Sequence, residues 1–134
     1  AYQKSTKTKK PLKSRAFSLL DSGLKVVASR SHRDPMTEKI ISFLHAPEIV
    51  ATGSSLKFLL IAEGKANFYP RLAPTMEWDT AAAQCVLEEA GGSIVQFDTL
   101  LPLVYNKPDL LNPHFIAAGA IIDPEELVGL LGRL

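Results

Sequence analysis

Cysteine, aromatic residues and long apolar runs are all scarce in this chain, and each scarcity excludes something. One cysteine among 134 residues, Cys85, cannot form an internal bridge, so no disulfide scaffold supports the fold. No apolar run approaches the roughly 18 residues of a membrane-spanning helix. The run from Phe58 to Ala62, for instance, is bounded by Lys57 and Glu63. No apolar stretch follows the basic N-terminus, so no signal peptide is read there. A Gly-rich phosphate loop, zinc-ligand spacing and a nucleophile elbow are all missing. The three histidines, His32, His45 and His114, are far apart and share no ligand spacing. His45 and His114 read as surface or packing residues. Disorder is excluded too, because 46% of the residues are hydrophobic and the net charge is only +1. What remains is one domain with room for a single packed core, expected in a reducing compartment such as the cytoplasm.

The small net charge hides an asymmetry. Residues 1–15 carry Lys4, Lys7, Lys9, Lys10, Lys13 and Arg15 and no acid, which leaves nine basic against 14 acidic residues for the rest. Such an arm suits an anionic surface. Tyr2 is its only aromatic residue, too few for base stacking, which argues against a stable nucleic-acid partner. Weak association with a membrane surface stays open beside the ordinary reading of a solvated segment. The chain begins with Ala1 rather than Met, which reads as an internal start. Residues 1–20 are therefore taken as a basic N-terminal segment, the tail of a preceding domain, and 21–134 as an α/β domain.

Periodicity orders the rest. The short β-branched run 24–29 predicts a strand. Asp34 as N-cap and Pro35 as first helical residue open a helix with Ile40, Ile41, Phe43 and Leu44 on its apolar face, stopped by Pro47. Residues 49–51 predict a second strand. Ser54 or Ser55 caps a helix over 56–63, apolar almost all round and closed by Gly64. Residues 66–69 predict a third strand, followed by a loop with Pro70 and Pro74. The Ala-rich stretch 80–90, ended by Gly91-Gly92, predicts the strongest helix, with Cys85 as a small core residue within it. Strands are expected over 93–97 and 115–118, and Asp123-Pro124-Glu125-Glu126 opens a last helix. Strands and helices alternate, so the expected class is α/β, a layered sheet flanked by helices.

Three places offer chemistry. At Gly53-Ser54-Ser55-Leu56-Lys57 a turn delivers serine hydroxyls and a lysine to a helix start, which suits a phosphate. The ordinary alternative is a serine cap with a lysine whose stem lies along apolar surface. At Trp78-Asp79-Thr80 the aspartate sits at a helix start, where the helix dipole favours the ionised carboxylate, an oxygen ligand for a hard cation such as Mg²⁺. A plain cap is the alternative there. Arg71 follows a strand end, where an arginine suits bidentate phosphate contact, or else a surface ion pair.

These residues carry a resemblance. Trp78-Asp79-Thr80-Ala81-Ala82, followed by Glu89-Ala90-Gly91-Gly92, resembles the C-terminal signature of the inositol-monophosphatase-like, Mg²⁺-dependent phosphatases. Ser29-Arg30-Ser31-His32, Gly53-Ser54-Ser55-Leu56-Lys57-Phe58, Ala62-Glu63-Gly64 and Tyr69-Pro70-Arg71 are similar to the 3′(2′),5′-bisphosphate nucleotidases of bacterial sulfur assimilation within that superfamily. The matches run in family order from about residue 24 to residue 119. Ala83 stands where relatives often have glycine.

The resemblance implies the C-terminal α/β domain of the inositol-monophosphatase-like sugar phosphatase fold. It implies Mg²⁺-assisted hydrolysis of 3′-phosphoadenosine 5′-phosphate to AMP and phosphate, in which the protein mainly positions groups and supplies countercharge. It assigns Asp79 as a metal ligand bordering the substrate, Ser54 and Lys57 to the phosphate end of the nucleotide, and Arg71 near the nucleotide. It puts the stretch from Ser29 to His32 beside the nucleotide. It places such an enzyme in the cytoplasm, peripheral at the inner membrane if the basic segment engages lipid. The family's helix glutamate and its Asp-Pro-x-Asp-Gly-Thr loop have no counterpart here, since neither Asp34-Pro35 nor Asp123-Pro124 continues into Asp-Gly. One aspartate is not a Mg²⁺ cluster. The chain alone is therefore expected to lack phosphatase activity and to need a preceding domain. Two alternatives remain: an inositol or sugar monophosphatase of the same superfamily, and a non-catalytic nucleotide- or nucleic-acid-binding module.

Overall fold

The computed structural model describes residues 1–4, 9–29, 32–53 and 55–134. In chain order the elements are β1 (Tyr2–Lys4), β2 (Lys9–Pro11), β3 (Ala16–Phe17), β4 (Lys25–Val27), α1 (Pro35–Ser42), β5 (Glu48–Val50), α2 (Leu56–Ala62), β6 (Phe68–Arg71), α3 (Glu77–Glu89), β7 (Ser93–Gln96), β8 (Phe115–Ala118), β9 (Ala120–Ile121) and α4 (Glu125–Leu131). Five of the strands form one mixed sheet in the order β5-β4-β6-β8-β7. β4 runs parallel to β5 and β6, while β8 runs antiparallel to β6 and β7.

Alternation along the central strands sorts the core onto the two faces of this sheet. Val27, Tyr69, Phe115 and Ala117 meet Phe58, Ile61 and Ala62 of α2 and Ala83 and Leu87 of α3. Their neighbours Val26, Phe68, Ile116 and Ala118 meet Ile40 and Leu44 from the α1 side and Leu127 and Leu130 of α4. The result is a three-layer α/β/α body, as the alternation of elements predicts. Each fully buried Phe, Ile or Leu stabilises it by about 1.5–3 kcal/mol.

Local signals account for most boundaries. Asp34 caps α1, its Oδ1 accepting the Thr37 N–H at 2.9 Å and its Oδ2 the Thr37 hydroxyl at 2.6 Å. Gly64 ends α2 with φ +73, a conformation other residues rarely adopt. Among the described residues, no helix is long and apolar enough to cross a membrane.

Four expectations need correction. First, the described part of the basic segment is more than a solvated stretch of chain. β1 and β2 pair antiparallel, all six strand residues are exposed, and Lys9 Nζ lies 4.2 Å from the centre of the Tyr2 ring. Second, the packed body begins before residue 21. Ser14, Phe17 and Leu19 are buried, β3 pairs with β9, and the Glu126 carboxylate accepts the Ser18 hydroxyl and the Leu19 N–H, both at 2.7 Å. Third, β6 extends through Pro70 to Arg71 instead of stopping at Tyr69. β4 and β6 pair at Val26–Phe68 alone, so the end of β6 is an edge on that side, where a missing N–H costs little. Fourth, Cys85 is exposed. The buried face of α3 is Glu77, Thr80, Ala83, Gln84 and Leu87, and the 3.6-residue period turns Cys85 away from it.

Gly92 marks the tightest approach of helix to sheet. A Cβ there would lie 2.4 Å from Leu87 Cδ1 and 2.6 Å from the Ala118 carbonyl oxygen. We expect Gly92→Ala to lower unfolding stability by about 1–3 kcal/mol through overpacking. Gly129→Ala, inside α4 with nothing within 4 Å of the new Cβ, should leave stability unchanged or raise it. Equilibrium urea unfolding checks both, and equal midpoints for the two variants would contradict the packing described.

Candidate functional site

The sheet opens where β6 loses its β4 partner, and a cleft of ≈ 580 Å³ lies there, lined from three directions. Ser55 and Lys57 come from the start of α2, Tyr69 and Arg71 from the carboxyl end of β6, and Trp78, Asp79 and Thr80 from the first turns of α3. This is the usual place for a ligand in an open α/β sheet, and the volume falls in the range of small-molecule sites.

The floor is aromatic. Phe58, Tyr69 and Phe115 meet with ring centroids 5.5, 5.8 and 6.0 Å apart. Such contacts contribute about 0.5–1.5 kcal/mol each beyond burial and keep the floor rigid. Tyr69 and Arg71 are two residues apart on one strand, so both face the cleft. Lys57 Nζ lies 5.3 Å from the centre of the Tyr69 ring.

Two cations share this floor without a counter-charge. Among the described residues, neither Lys57 nor Arg71 makes a salt bridge. Burial pushes the Lys57 ammonium below the ordinary lysine range, and the Arg71 guanidinium pushes it further the same way. Burial also raises the Tyr69 phenol, against the pull of Arg71. Arg71 Nη2 donates weakly to the Pro74 carbonyl at 3.4 Å, and its buried Nε has no protein partner among the described residues.

Asp79 supplies the negative charge. α3 begins at Glu77, three residues earlier than the sequence suggests, because Met76 is extended (φ −104, ψ 160) and Asp79 reaches back to it. Asp79 Oδ2 accepts the Met76 N–H at 2.8 Å, which makes Asp79 the third helical residue rather than the cap. That bond fixes the exposed carboxylate at the mouth of the cleft. Alone it does not make a divalent-cation site: among the described residues there is no group of three His, Cys, Asp or Glu able to hold a metal.

Behind the cleft the loop between β7 and β8 is tied to the same helix start. The Glu77 carboxylate accepts the Asn106 N–H at 2.7 Å, the Lys107 N–H at 3.1 Å and the Lys107 ammonium. The bond from Lys107 is the main reason its carboxyl sits below the ordinary range.

The structure therefore brings Lys57, Arg71 and Asp79 together. Ser29 and His32 do not line the cleft. They are exposed, and the His32 N–H donates to Ser29 Oγ at 3.2 Å in a local turn. Ser54 lies outside the described residues, as do Arg30 and Ser31. Ser55 precedes α2 but its side chain caps nothing, so the serine-cap alternative does not hold for it. His45 and His114 are exposed, as expected. The roles of Tyr69 as floor and Trp78 as exposed wall were not read from the sequence. The spacing of Tyr69 from Arg71 and the adjacency of Trp78 to Asp79 are the signals that point to them.

The mutual influence of the two cations is measurable. We expect Arg71→Met to raise the Lys57 titration midpoint while leaving it below that of an ordinary lysine, since burial is the larger cause. Side-chain nitrogen NMR follows it directly. An unmoved midpoint, or a wild-type Lys57 titrating as a solvent-exposed lysine, contradicts the shared floor.

Comparison with known proteins identifies the family and the fold. The model of the inositol monophosphatase family matches residues 2–129. The 3′(2′),5′-bisphosphate nucleotidase CysQ of Escherichia coli K12 is 43% identical over 91 residues, which are 67% of this chain and 37% of that protein. The crystal structure of CysQ from Bacteroides thetaiotaomicron, a bacterial member of the inositol monophosphatase family, superposes with a TM-score of 0.71 at 43% identity, covering 84% of this chain and 42% of that one. An uncharacterized protein in the pss 5′ region of Rhizobium leguminosarum bv. phaseoli is 56% identical over 73 residues, 50% of this chain and 76% of its own length. The chain thus spans well under half of the CysQ proteins it resembles. A match over nearly its whole length, together with the α/β/α fold and the cleft, places the chain in the inositol monophosphatase family.

Proposed function

We propose that this chain is the substrate-side α/β domain of a phosphatase that hydrolyses 3′-phosphoadenosine 5′-phosphate to AMP and phosphate, acting in sulfur assimilation and nucleotide recycling. The observation that carries the reading is the pair of uncompensated cations, Lys57 and Arg71, on an aromatic floor. Two half-buried positive charges with no carboxylate partner among the described residues suit a multiply charged phosphate ester, because a dianion neutralises both. The exposed Trp78 and the rings of Tyr69 and Phe58 suit a planar nucleobase better than a polyhydroxylated ring. The likeness to the CysQ proteins supports the same substrate.

In this reading Lys57 and Arg71 bind and orient the phosphates, with Arg71 offering the planar fork that matches two phosphate oxygens. Asp79 borders the reacting phosphate and contributes one carboxylate to a Mg²⁺ site whose other ligands belong to a preceding domain of the same protein. Hydrolysis therefore needs that domain, and this chain alone carries no turnover. A small-molecule substrate, not a nucleic acid, is the ligand, and the enzyme works in the cytoplasm.

Kinetics of the full-length protein test this. Lys57→Ala removes a charged contact made with bound substrate throughout the reaction, worth about 1.5–3 kcal/mol. KM should rise roughly 10- to 150-fold with kcat within about threefold. Asp79→Ala should abolish turnover while substrate still binds. Equal small effects from both variants, or faster hydrolysis of inositol monophosphate than of the bisphosphate nucleotide, overturn the reading. Binding that survives both variants and weakens steeply with salt would favour a non-catalytic polyanion-binding module instead.

A further inference from the structure

We propose that Asn112 is a positioning residue, which fixes the distance between the Asp79 carboxylate and the Arg71 guanidinium. Asn112 touches neither the cleft nor its charges. It is 5% exposed, and it lies three residues before Phe115, the residue that pairs across the sheet with Arg71. Its side chain reaches the start of α3. Nδ2 donates to the Met76 carbonyl at 2.9 Å and to Thr80 Oγ1 at 3.0 Å, with Thr75 Oγ1 at 3.2 Å.

The backbone makes the same connection. The Asn112 N–H donates to the Thr75 carbonyl at 2.8 Å, and the Glu77 N–H donates to the Leu110 carbonyl at 2.9 Å, around an antiparallel bridge between Met76 and Leu111. The residue that receives the Asn112 amide through its carbonyl, Met76, is the one whose N–H holds Asp79 Oδ2. One chain of bonds therefore runs from the strand register of Arg71, through Phe115 and Asn112, to Met76 and the Asp79 carboxylate.

The amide is specific to this task. Three oxygens converge on Nδ2, and the Met76 carbonyl among them can only accept, so a carboxylate of the same shape repels it and an apolar isostere satisfies none of the three. Asn112 Oδ1 is buried with no partner among the described residues, so the side chain is held by its donor end alone. Thr80 is braced in turn, with the Tyr105 hydroxyl 3.1 Å from Thr80 Oγ1 while that hydroxyl also donates to Gln84 at 2.6 Å.

The structural half of this proposal stands without the activity, whereas its consequence for turnover rests on the reading of the cleft given above. Amide hydrogen exchange on the full-length protein tests the structural half. In Asn112→Leu the amides of Met76, Glu77 and Asp79 should exchange at least about tenfold faster, while those of Ile116, Ala117 and Ala118 stay within about threefold of wild type. Thr80→Val, which removes one acceptor and keeps the shape, should give a smaller change at the same amides and serves if Asn112→Leu does not fold. The emission of Trp78, the only tryptophan of this chain, should shift in both variants.

In kinetics, the Asn112 variant should lose about 10- to 100-fold in kcat with KM within about threefold, as expected for misplacement of a reacting group. Gly92→Ala, destabilised elsewhere, should keep its kcat. Unchanged protection of Met76, Glu77 and Asp79, or a uniform loss that includes β8, overturns the proposal. So does an unchanged kcat alongside the exchange effect. If the wild-type protein does not hydrolyse the bisphosphate nucleotide, the functional reading fails, and the exchange pattern alone decides whether Asn112 holds the helix start.

Discussion

β6 is hydrogen-bonded on both sides at Phe68 and on the β8 side alone beyond it, and the cleft follows from that split. Had β4 and β6 stayed paired to Arg71, the space between the carboxyl ends of the strands would be closed by ladder bonds. Because the pairing stops, Pro70 is accommodated without loss and Arg71 ends the strand at an open edge. The helices on that face, α2 and α3, then bring their first turns to the same gap. The end of β4–β6 pairing thus marks where the floor lies, and the starts of α2 and α3 wall it.

The charges of the cleft are arranged so that the protein does not satisfy them itself. Lys57 and Arg71 are close enough for one to depress the other, yet among the described residues no carboxylate forms a salt bridge with either. Asp79, the acid of the cleft, is tethered to the backbone of Met76 rather than drawn to the cations. An arrangement that leaves like charges side by side costs stability and is relieved by an anion of two or more charges.

How much of this was legible depended on range. The start of α1 was readable to the residue, because Asp34 and Pro35 act on the turn they open, whereas its end at Ser42 falls short of the stop expected at Pro47 and leaves Phe43 and Leu44 beyond the helix. Lys57, Arg71 and Asp79 were each readable as candidates from the chemistry of helix starts and strand ends. The start of α3 was misjudged because Met76 carries no capping oxygen, so the helix is opened by an acid three residues inside it. Cys85 was misjudged because an Ala-rich run hides which face is buried. The β1–β2 pair gave no alternating pattern, since both strands are exposed throughout. The ties from Asn106, Lys107 and Asn112 to α3 join positions about 30 or more residues apart, and no local pattern announces them.

The central claim is that Lys57, Arg71 and Asp79 border one ligand. Chemical-shift mapping of 3′-phosphoadenosine 5′-phosphate onto the full-length protein tests it most directly. The account predicts that the perturbed amides of this chain cluster at residues 55–58, 69–75 and 76–83 and that the Trp78 indole moves with them. Perturbations confined to the basic residues 1–15, with those three segments silent, would contradict it.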